Sequence, residues 1–263
     1  MRPAGGGRPV KVRVLGCSGG IGGAARTTAL LIDEDVLIDA GTGVGDLELA
    51  ALARIDHIFL THAHLDHIGA VPLLLDSVGA HRQHPVIVHA LEATIATLSS
   101  HIFNWQVWPD FTQIPDPAQP FLRFAAFAPG AEVAVGARHL RGIPVNHVVP
   151  AVGYLVRGAR GHLLFSGDTT ETDAFWQVAN DTADLNHLII ETSFTDAEEA
   201  LSRVSRHLCP RLLASELLKL RGTPKIYITH LMPGEEQEIM GEIRGRVPGR
   251  DIVALERGMV LDV

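Results

Sequence analysis

The chain has 263 residues, of which 46% are hydrophobic, and this is enough to build one large α/β domain or two small ones. A formal net charge of -8 and a pI near 5.9 give no electrostatic reason to expect DNA or long RNA as a partner. The net charge does not exclude the binding of a small anion at a local positive site. The two cysteines, Cys17 and Cys209, exclude a disulfide framework and a zinc knuckle, and they fit a reducing cytoplasm.

The first nine residues are rich in glycine and proline and lack the apolar segment of a secretory signal. The sequence therefore predicts a flexible N-terminus over residues 1–9, followed by one domain over residues 10–263. No apolar run is long enough to span a bilayer, so we expect no membrane partner. Together these features predict a soluble, cytoplasmic protein.

A strand over residues 10–15 leads into the glycine-rich loop Gly16–Gly23. This loop is more typical of a structural loop beside a site than of a phosphate cradle, because no Lys-Ser/Thr pair follows it. Residues 28–33 and 36–39 predict a hairpin that ends at Asp39, a plausible hydrogen-bond partner for a ligand histidine. Residues 47–54 predict a short amphipathic helix.

Four potential metal ligands fall within six residues in the segment 61–69, Thr-His-Ala-His-Leu-Asp-His-Ile-Gly. The apolar run 55–60 predicts a buried strand before this segment, and residues 66–77 predict a helix. His62 and His64 are two apart in extended backbone, so both rings project to one side, whereas Asp66 and His67 turn into the helix. One loop can thus serve two metal ions. Carboxylate with imidazole suits zinc, and also iron or manganese.

The segment 103–111 holds two of the three tryptophans of a chain that is poor in aromatic residues. It follows a predicted strand over residues 85–89, which ends at His89, and a helix that begins near Leu91. The segment has three possible roles: a core plug, a contact between two copies in a homodimer, or a wall on which a nucleobase stacks. His89 has no defined partner and is interpreted as structural.

The second half of the chain repeats one arrangement, in which a strand ends in a ligand-type residue. His147 follows the strand that begins near residue 140, Asp168 follows 163–165, and His230 follows 225–229. Each of these residues alone would be a weak indication, but together they complete a set. We assign His62, His64 and His147 to one ion and Asp66, His67 and His230 to the other. Asp168 is expected to lie between the two ions.

This order of ligands resembles the metallo-β-lactamase superfamily, whose His-x-His-x-Asp-His loop is followed by a later His, Asp and His. The resemblance covers residues 10–263. It implies an α/β fold of four layers, the αββα sandwich, with two divalent ions at one edge of the two sheets and zinc as the first candidate.

Four further segments resemble the class II cyclic-nucleotide phosphodiesterases: Glu191-Thr192-Ser193-Phe194, residues 205–210, the helix 212–220, and residues 228–234. The metal loop departs from that family after Gly69, where Pro72-Leu73-Leu74-Leu75-Asp76 replaces an apolar run that leads to a Ser-Pro or Ser-Ala pair. The Glu191 and His207 pair also resembles the proton donor of the related transfer-RNA 3′-processing nucleases. The alternative role for His207 is to cap the helix that begins near Pro210.

The resemblance implies a binuclear phosphodiesterase that hydrolyses a small 3′,5′-cyclic nucleotide to the 5′-monophosphate. Asp66, His207 and Glu191 are the predicted catalytic residues, with a metal-bridging hydroxide attacking phosphorus and either His207 or a metal-bound water protonating the leaving oxygen. The alternatives are hydrolysis of another small phosphodiester, an ester or a lactam, an RNA-processing nuclease, and a scaffold that has lost its metals. A flavodiiron-type reductase does not fit, since that family has Glu at the position of His64.

Overall fold

The computed structural model describes residues 10–263, so the segment 1–9 that the sequence predicts to be flexible lies outside the described residues. Within the described part of the chain, no helix combines the length and the apolar character that a membrane crossing requires. The strands are β1 (Lys11–Gly16), β2 (Ala29–Ile32), β3 (Val36–Ile38), β4 (His57–Phe59), β5 (Val86–Ala90), β6 (Pro115–Asp116), β7 (Gln119–Pro120), β8 (Leu122–Ala126), β9 (Glu132–Val135), β10 (Arg138–Pro144), β11 (Val152–Arg157), β12 (His162–Phe165), β13 (Leu185–Glu191), β14 (Lys225–Thr229), β15 (Ile252–Ala254) and β16 (Val260–Asp262).

The α-helices are α1 (Leu49–Leu52), α2 (Leu65–Ile68), α3 (Ala70–Val78), α4 (Glu92–Thr97), α5 (Asp173–Asp181), α6 (Glu199–Ser205), α7 (Pro210–Leu217) and α8 (Glu236–Arg246). Short 3₁₀ turns lie at Thr42–Asp46, Gly79–His81 and Asp196–Glu198, and a π-helical turn at Leu98–Ile102 extends α4.

Two seven-stranded sheets form the centre of the molecule. The first has the order β16-β1-β2-β3-β4-β5-β8 and the second the order β15-β14-β13-β12-β11-β10-β9, while β6 and β7 form a separate small hairpin. Helix α3 packs on the outer face of the first sheet, and α5, α7 and α8 pack on the outer face of the second. The predicted four-layer αββα sandwich is therefore confirmed.

Alternation along the strands explains why both faces of each sheet are apolar. In β12, Leu163 and Phe165 point between the two sheets, whereas Leu164 points toward the outer helices. In β14 the central Tyr227 points inward and Ile228 points outward. Successive side chains of a strand lie on opposite faces, so a continuous apolar run is what a strand buried on both sides requires. Each fully buried aliphatic side chain contributes about 1.5–3 kcal/mol of transfer free energy.

The sheet topology brings several strand ends to one edge of the sandwich. Strands β3, β4 and β5 run parallel in the first sheet, and β12, β13 and β14 run parallel in the second. Their carboxyl ends therefore lie together, and the segments after β4, β12 and β14 are the ones that carry the predicted ligands. Two terminal strands that the sequence did not predict, β15 and β16, complete the sheets beside β14 and β1.

Two helix predictions need correction. The helix expected over residues 47–54 is reduced to the four residues of α1, none of which is fully buried, so little packing energy supports a longer helix. The helix expected over residues 66–77 is divided at Gly69 into α2 and α3. The backbone of Ala40 takes the place of helical hydrogen-bond partners at this point. Its N–H donates to the His67 carbonyl (2.6 Å), and its carbonyl accepts from the Ala70 N–H (2.8 Å).

The aromatic segment 103–111 acts as a core plug. Phe103 and Phe111 are buried, with exposed fractions of 2% and 3%, and pack on the first sheet. The Phe111 carbonyl accepts from the N–H of Leu122, the first residue of β8, and this is the sheet edge opposite the predicted metal ligands. Phe103 and Phe111 therefore support the core-plug role, and the role of the segment as a nucleobase-stacking wall stays a prediction for the tryptophans. Trp105 and Val107 are exposed, and the homodimer contact stays a prediction.

Candidate metal centre

The metal loop begins where β4 ends. His62 follows in buried backbone, and His64 is still extended (φ -74°, ψ 148°) as it caps the start of α2. Gly41 allows this loop to approach the segment after β3, because a Cβ at Gly41 would lie 2.3 Å from the Asp66 carbonyl oxygen. The loop is thus held by its neighbour, and its side chains face the edge between the two sheets.

The first group of ligand-type atoms comes from His62, His64, His147 and Asp168, and all of these atoms lie within 4.8 Å of one another. The Nδ1 atom of His64 is 3.0 Å from Nε2 of His62 and 3.2 Å from Nε2 of His147. The Oδ2 atom of Asp168 is 3.6 Å from Nε2 of His62. The structure therefore brings together the four residues that the sequence assigned to the first ion and to the position between the ions.

The second group comes from Asp66, His67, Asp168 and His230, again with all ligand-type atoms within 4.8 Å of one another. The Nε2 atom of His230 is 3.1 Å from Oδ2 of Asp66. Oδ2 of Asp168, the atom that faces the first group, is also 3.2 Å from Nε2 of His67 and 3.4 Å from Nε2 of His230. One carboxylate oxygen thus lies between the two groups.

The two groups fit divalent metal ions. Nε2 of His67 is buried and has no hydrogen-bond partner within the described residues, which is costly unless another group occupies that nitrogen. The ion pairs of Asp66 and Asp168 in residues 10–263 involve histidines and neither lysine nor arginine. Converging imidazole nitrogens and carboxylate oxygens are the donor set of zinc and of neighbouring transition metals.

Hydrogen bonds on the outer side of the rings fix the tautomers. Nδ1 of His147 lies 3.1 Å from the Arg206 carbonyl and Nδ1 of His67 lies 2.7 Å from Oδ2 of Asp39. These oxygens only accept, so Nδ1 carries the proton and Nε2 is left with its lone pair facing the group. The hydroxyl of Thr61 donates to Asp39 and accepts from Nδ1 of His62 (2.9 Å), with the same result. Asp39 therefore supports two ligand histidines, one of them through Thr61.

The histidines of the first group are kept neutral, which is the form that binds a metal. Burial, followed by the charge of His67, lowers the pKa of His62 well below its usual range. Burial also lowers the pKa values of His64 and His147, against the opposing attraction of Asp168.

The second group carries an excess of negative charge. Burial alone would lower the pKa of His67, but the carboxylates of Asp168 and Asp39 raise it well above its usual range. Burial alone would raise the pKa of Asp168, but His230 and His67 lower it well below its usual range. Burial alone would also raise the pKa of Asp66, but the hydrogen bond from His230 and the nearby imidazole of His67 lower it. In the metal-free protein the carboxylates of Asp66 and Asp168 therefore stay ionised, and their negative charge favours the binding of a metal cation.

A third arrangement lies beside both groups. Glu191, the last residue of β13, is fully buried, and its Oε1 atom lies 2.7 Å from Nδ1 of His207. The ring of His207 stacks on His230 with 5.1 Å between centroids and lies edge-on to His147 at 5.0 Å. The capping alternative for His207 is wrong, because Cys209 is the N-cap of α7. The imidazole of His207 instead projects toward the two groups.

Comparison with known proteins decides the family. A model of the beta-lactamase superfamily domain matches residues 34–231, three quarters of the chain. The chain belongs to the metallo-β-lactamase superfamily. Its relatives and its ligand set make it a metal-dependent hydrolase that uses divalent ions.

The relatives of this superfamily member include cyclic-nucleotide phosphodiesterases and Ribonuclease Z proteins. A probable 3′,5′-cyclic-nucleotide phosphodiesterase from Yersinia pestis is 26% identical over an alignment that covers 78% of this chain and 67% of the relative. A Ribonuclease Z from Bradyrhizobium diazoefficiens is 25% identical over an alignment that covers 91% of this chain and 96% of the relative. The structure of unliganded yeast PDE1 superposes with a TM-score of 0.80 at 17% identity, covering 97% of this chain and 99% of that chain, and this likeness shows the fold.

Sequence reasoning missed three supporting residues of the hydrolase. The hydroxyl of Ser193 lies 2.9 Å from Nδ1 of His230 and 3.1 Å from Oε2 of Glu191, although the sequence singled out only the tetrapeptide that contains it. Nothing in the sequence indicates the roles of Thr61 and Arg206. The hydroxyl of Thr61 links His62 to Asp39, and Arg206 contacts His147 through its backbone carbonyl. His89, interpreted as structural, stacks on Phe59 with 4.3 Å between centroids, away from the ligand groups.

Three N–H groups at the start of the glycine-rich loop are used in hydrogen bonds within the fold. The N–H groups of Cys17 and Ser18 donate to the Arg26 carbonyl, at 3.0 and 2.9 Å. The N–H of Gly19 donates to the Leu231 carbonyl at 3.0 Å. A cradle needs several free N–H groups that converge on an anion. The structural alternative for this loop is therefore the one that the hydrogen bonds support.

Proposed function

We propose that this hydrolase cleaves a small 3′,5′-cyclic nucleotide to the 5′-monophosphate with two divalent ions, zinc being the first candidate. The observation that carries the proposal is the position of His207, which lies beside both ligand groups while Glu191 holds its Nδ1 atom. A phosphodiester releases an alkoxide, and such a leaving group needs a proton donor in addition to the metals.

In the proposal, the first ion is held by His62, His64 and His147, the second by Asp66, His67 and His230, and Asp168 contacts both. Bound ions supply positive charge to the phosphoryl oxygens and lower the pKa of a coordinated water. Asp39 and Thr61 keep the ligand rings in the required tautomer, as their hydrogen bonds to His67 and His62 indicate.

The proposed proton donor is His207. Its Nδ1 atom is occupied by Glu191, so Nε2 is the atom that reaches substrate. Burial alone would lower the pKa of His207, but the neighbouring carboxylates, Glu191 first, raise it to about 9. His207 is therefore protonated near neutral pH. For a 3′,5′-cyclic nucleotide, Nε2–H donates to the departing ribose 3′ oxygen, and the product keeps its phosphate on the 5′ oxygen.

A second candidate is an RNA 3′-processing nuclease. It is favoured by the Ribonuclease Z relative, whose alignment covers 91% of this chain and 96% of the relative. The net charge of -8 argues against it, because a transfer-RNA substrate is a polyanion that basic surfaces attract. Both candidates use the same ligand groups and the same donor pair, and they differ in what the protein surface has to bind.

Hydrolysis assays on one preparation distinguish the candidates. Protein of measured metal content is incubated with 3′,5′-cyclic AMP, with bis(p-nitrophenyl) phosphate and with a precursor transfer RNA. Cleavage of the cyclic nucleotide and of the artificial diester with close to two metals per chain supports the proposal. Cleavage of precursor RNA without cyclic-nucleotide turnover replaces it with the nuclease. Two bound metals and no cleavage of any diester would point to an ester or a lactam.

A further inference from the structure

We propose that the glycine-rich loop Gly16–Gly23 sets the position of His230, and that Gly19 thereby determines the affinity of the second metal ion. Gly19 is a positioning residue in this proposal, because it acts through His230. The inference rests on the metal centre of the proposed function and adds a structural reason why the chain needs glycine at this point of the loop.

The loop forms hydrogen bonds with the backbone on both sides of His230. The N–H of His230 donates to the Cys17 carbonyl at 2.7 Å, and the hydroxyl of Thr229 donates to the same carbonyl at 3.2 Å. On the other side of His230, the Leu231 carbonyl accepts from the N–H of Gly19 at 3.0 Å. The loop that follows β1 of the first sheet thus holds the residue that follows β14 of the second sheet.

His230 needs such support because its backbone is in the left-handed region, with φ at +63°. A residue with a Cβ atom rarely adopts this conformation unless the surrounding structure imposes it. The conformation turns the ring so that Nδ1 lies 2.9 Å from the Ser193 hydroxyl and Nε2 lies 3.1 Å from Oδ2 of Asp66. A displaced backbone at His230 would disturb both contacts.

The contact at Gly19 leaves no room for a side chain. A Cβ atom there would lie 2.6 Å from the His230 carbonyl oxygen, 2.8 Å from its Nδ1 atom and 3.0 Å from the sulfur of Met232. Gly19 is not among the glycines with a positive φ, so its own backbone would accept alanine. The obstacle to a methyl group is therefore His230 itself, and alanine would push directly on the ligand ring.

The expected effect is confined to the second ion. The contacts of Gly19 are to residues 230–232, whereas His62 and His64 come from the loop after β4 and His147 from the end of β10. Changes to groups that orient a metal ligand typically cost 10- to 100-fold in metal affinity. We therefore expect Gly19→Ala to weaken the second ion by roughly this factor and to leave the first unchanged.

The test measures metal binding without using catalysis. Metal-free protein is dialysed against buffered zinc at graded free concentrations, and bound zinc per chain is counted by mass spectrometry. Gly45→Ala is the matched control, because its Cβ would meet nothing within 4 Å and its φ is not positive. This control is expected to bind zinc as the unaltered protein does.

A second variant covers the case in which Gly19→Ala does not fold. Thr229→Val keeps the shape of a buried side chain and removes only its hydrogen bond to the Cys17 carbonyl. It should also weaken the second ion selectively, though by a smaller factor. Circular dichroism of each metal-free variant establishes that the chain is folded before zinc is added.

The outcomes separate this inference from the proposed function. Two sites in the unaltered protein, of which one is selectively weakened in Gly19→Ala and the other is unchanged, support it. Two sites with unchanged affinities in folded Gly19→Ala, or an equal loss at both sites, overturn the inference and leave the metal centre standing. Fewer than two sites in the unaltered protein overturn the binuclear centre, and the inference with it.

Discussion

Nδ1 of His207 lies 2.7 Å from Oε1 of Glu191, a carboxylate with no exposed surface. The same carboxylate accepts hydrogen bonds from the N–H of Thr169 (3.0 Å), the N–H of Leu208 (3.3 Å) and the hydroxyl of Ser193 (3.1 Å). Donors on both oxygens prevent the carboxylate from rotating. The orientation of the His207 ring is therefore fixed by Glu191 at the end of β13.

Replacing the proposed proton donor should separate metal binding from turnover. We expect His207→Gln to retain both ions, because no ligand is removed, and to lower kcat for 3′,5′-cyclic AMP by roughly 100- to 10,000-fold. The measurement is kcat beside metal content, with His84→Gln as the control, since His84 is exposed and lies outside the ligand groups. Unchanged turnover of the cyclic nucleotide would show that His207 is not the acid.

The same variant provides a test of which atom receives the proton. A p-nitrophenolate leaving group is stable without protonation, whereas a ribose oxygen is not. His207→Gln should therefore impair cyclic AMP hydrolysis much more than hydrolysis of bis(p-nitrophenyl) phosphate. Equal losses on the two substrates would indicate that His207 stabilises the phosphoryl charge and does not protonate the leaving group.

The pH dependence of turnover should depend on Glu191. Burial lowers the pKa of His207, but Glu191 and then the more distant Asp168 and Asp66 raise it to about 9. A general acid acts in its protonated form, so kcat should fall as the pH rises above about 9. Glu191→Gln removes the largest favourable charge and lowers that pKa, so the fall should begin at a lower pH. The profile of kcat against pH measures the shift, and an unmoved alkaline limb would contradict the role of Glu191.

Loss of metal should differ between a bridging and a terminal ligand. Asp168 is the residue whose oxygen faces both groups, so Asp168→Ala should remove a ligand from each ion and leave two cations to repel each other across the gap. His62→Ala should lose the first ion together with activity. Zinc counted per chain in both variants checks this, and the ordering is contradicted if Asp168→Ala holds more metal than His62→Ala.

The buried carboxylate of Asp39 should contribute to metal affinity without touching a metal. It accepts from the N–H and the hydroxyl of Thr61, both at 2.8 Å, and from Nδ1 of His67 at 2.7 Å. Asp39→Asn places an amide N–H against one of these donors, so the ring of His67 loses its orientation. We expect zinc affinity to fall by roughly 10- to 100-fold, measured by competition with a chelator. An unchanged affinity would show that α2 alone orients His67.

The ligand positions could be read from the sequence because each one depends on local pattern. His62, His64, Asp66 and His67 share one short loop, and His147, Asp168 and His230 each follow an apolar strand, so the parallel topology brings them to one edge. The four-layer fold followed from the resemblance. The lengths of two helices were wrong, because the Ala40 peptide and the limited burial of α1 decide where those helices end.

The amino-acid sequence by itself determined the α/β character and the set of ligand-type residues, since these follow from periodicity and spacing along the chain, and the resemblance of that set to a known superfamily implied the four-layer fold. The tertiary structure decided what holds them: the Cys17 carbonyl on the N–H of His230, the Arg206 carbonyl on His147, and the Ser193 hydroxyl between His230 and Glu191. Backbone carbonyls are the same in every residue, and the partners are far apart in the chain. No local pattern can therefore indicate which carbonyl meets which ring until the two sheets are packed.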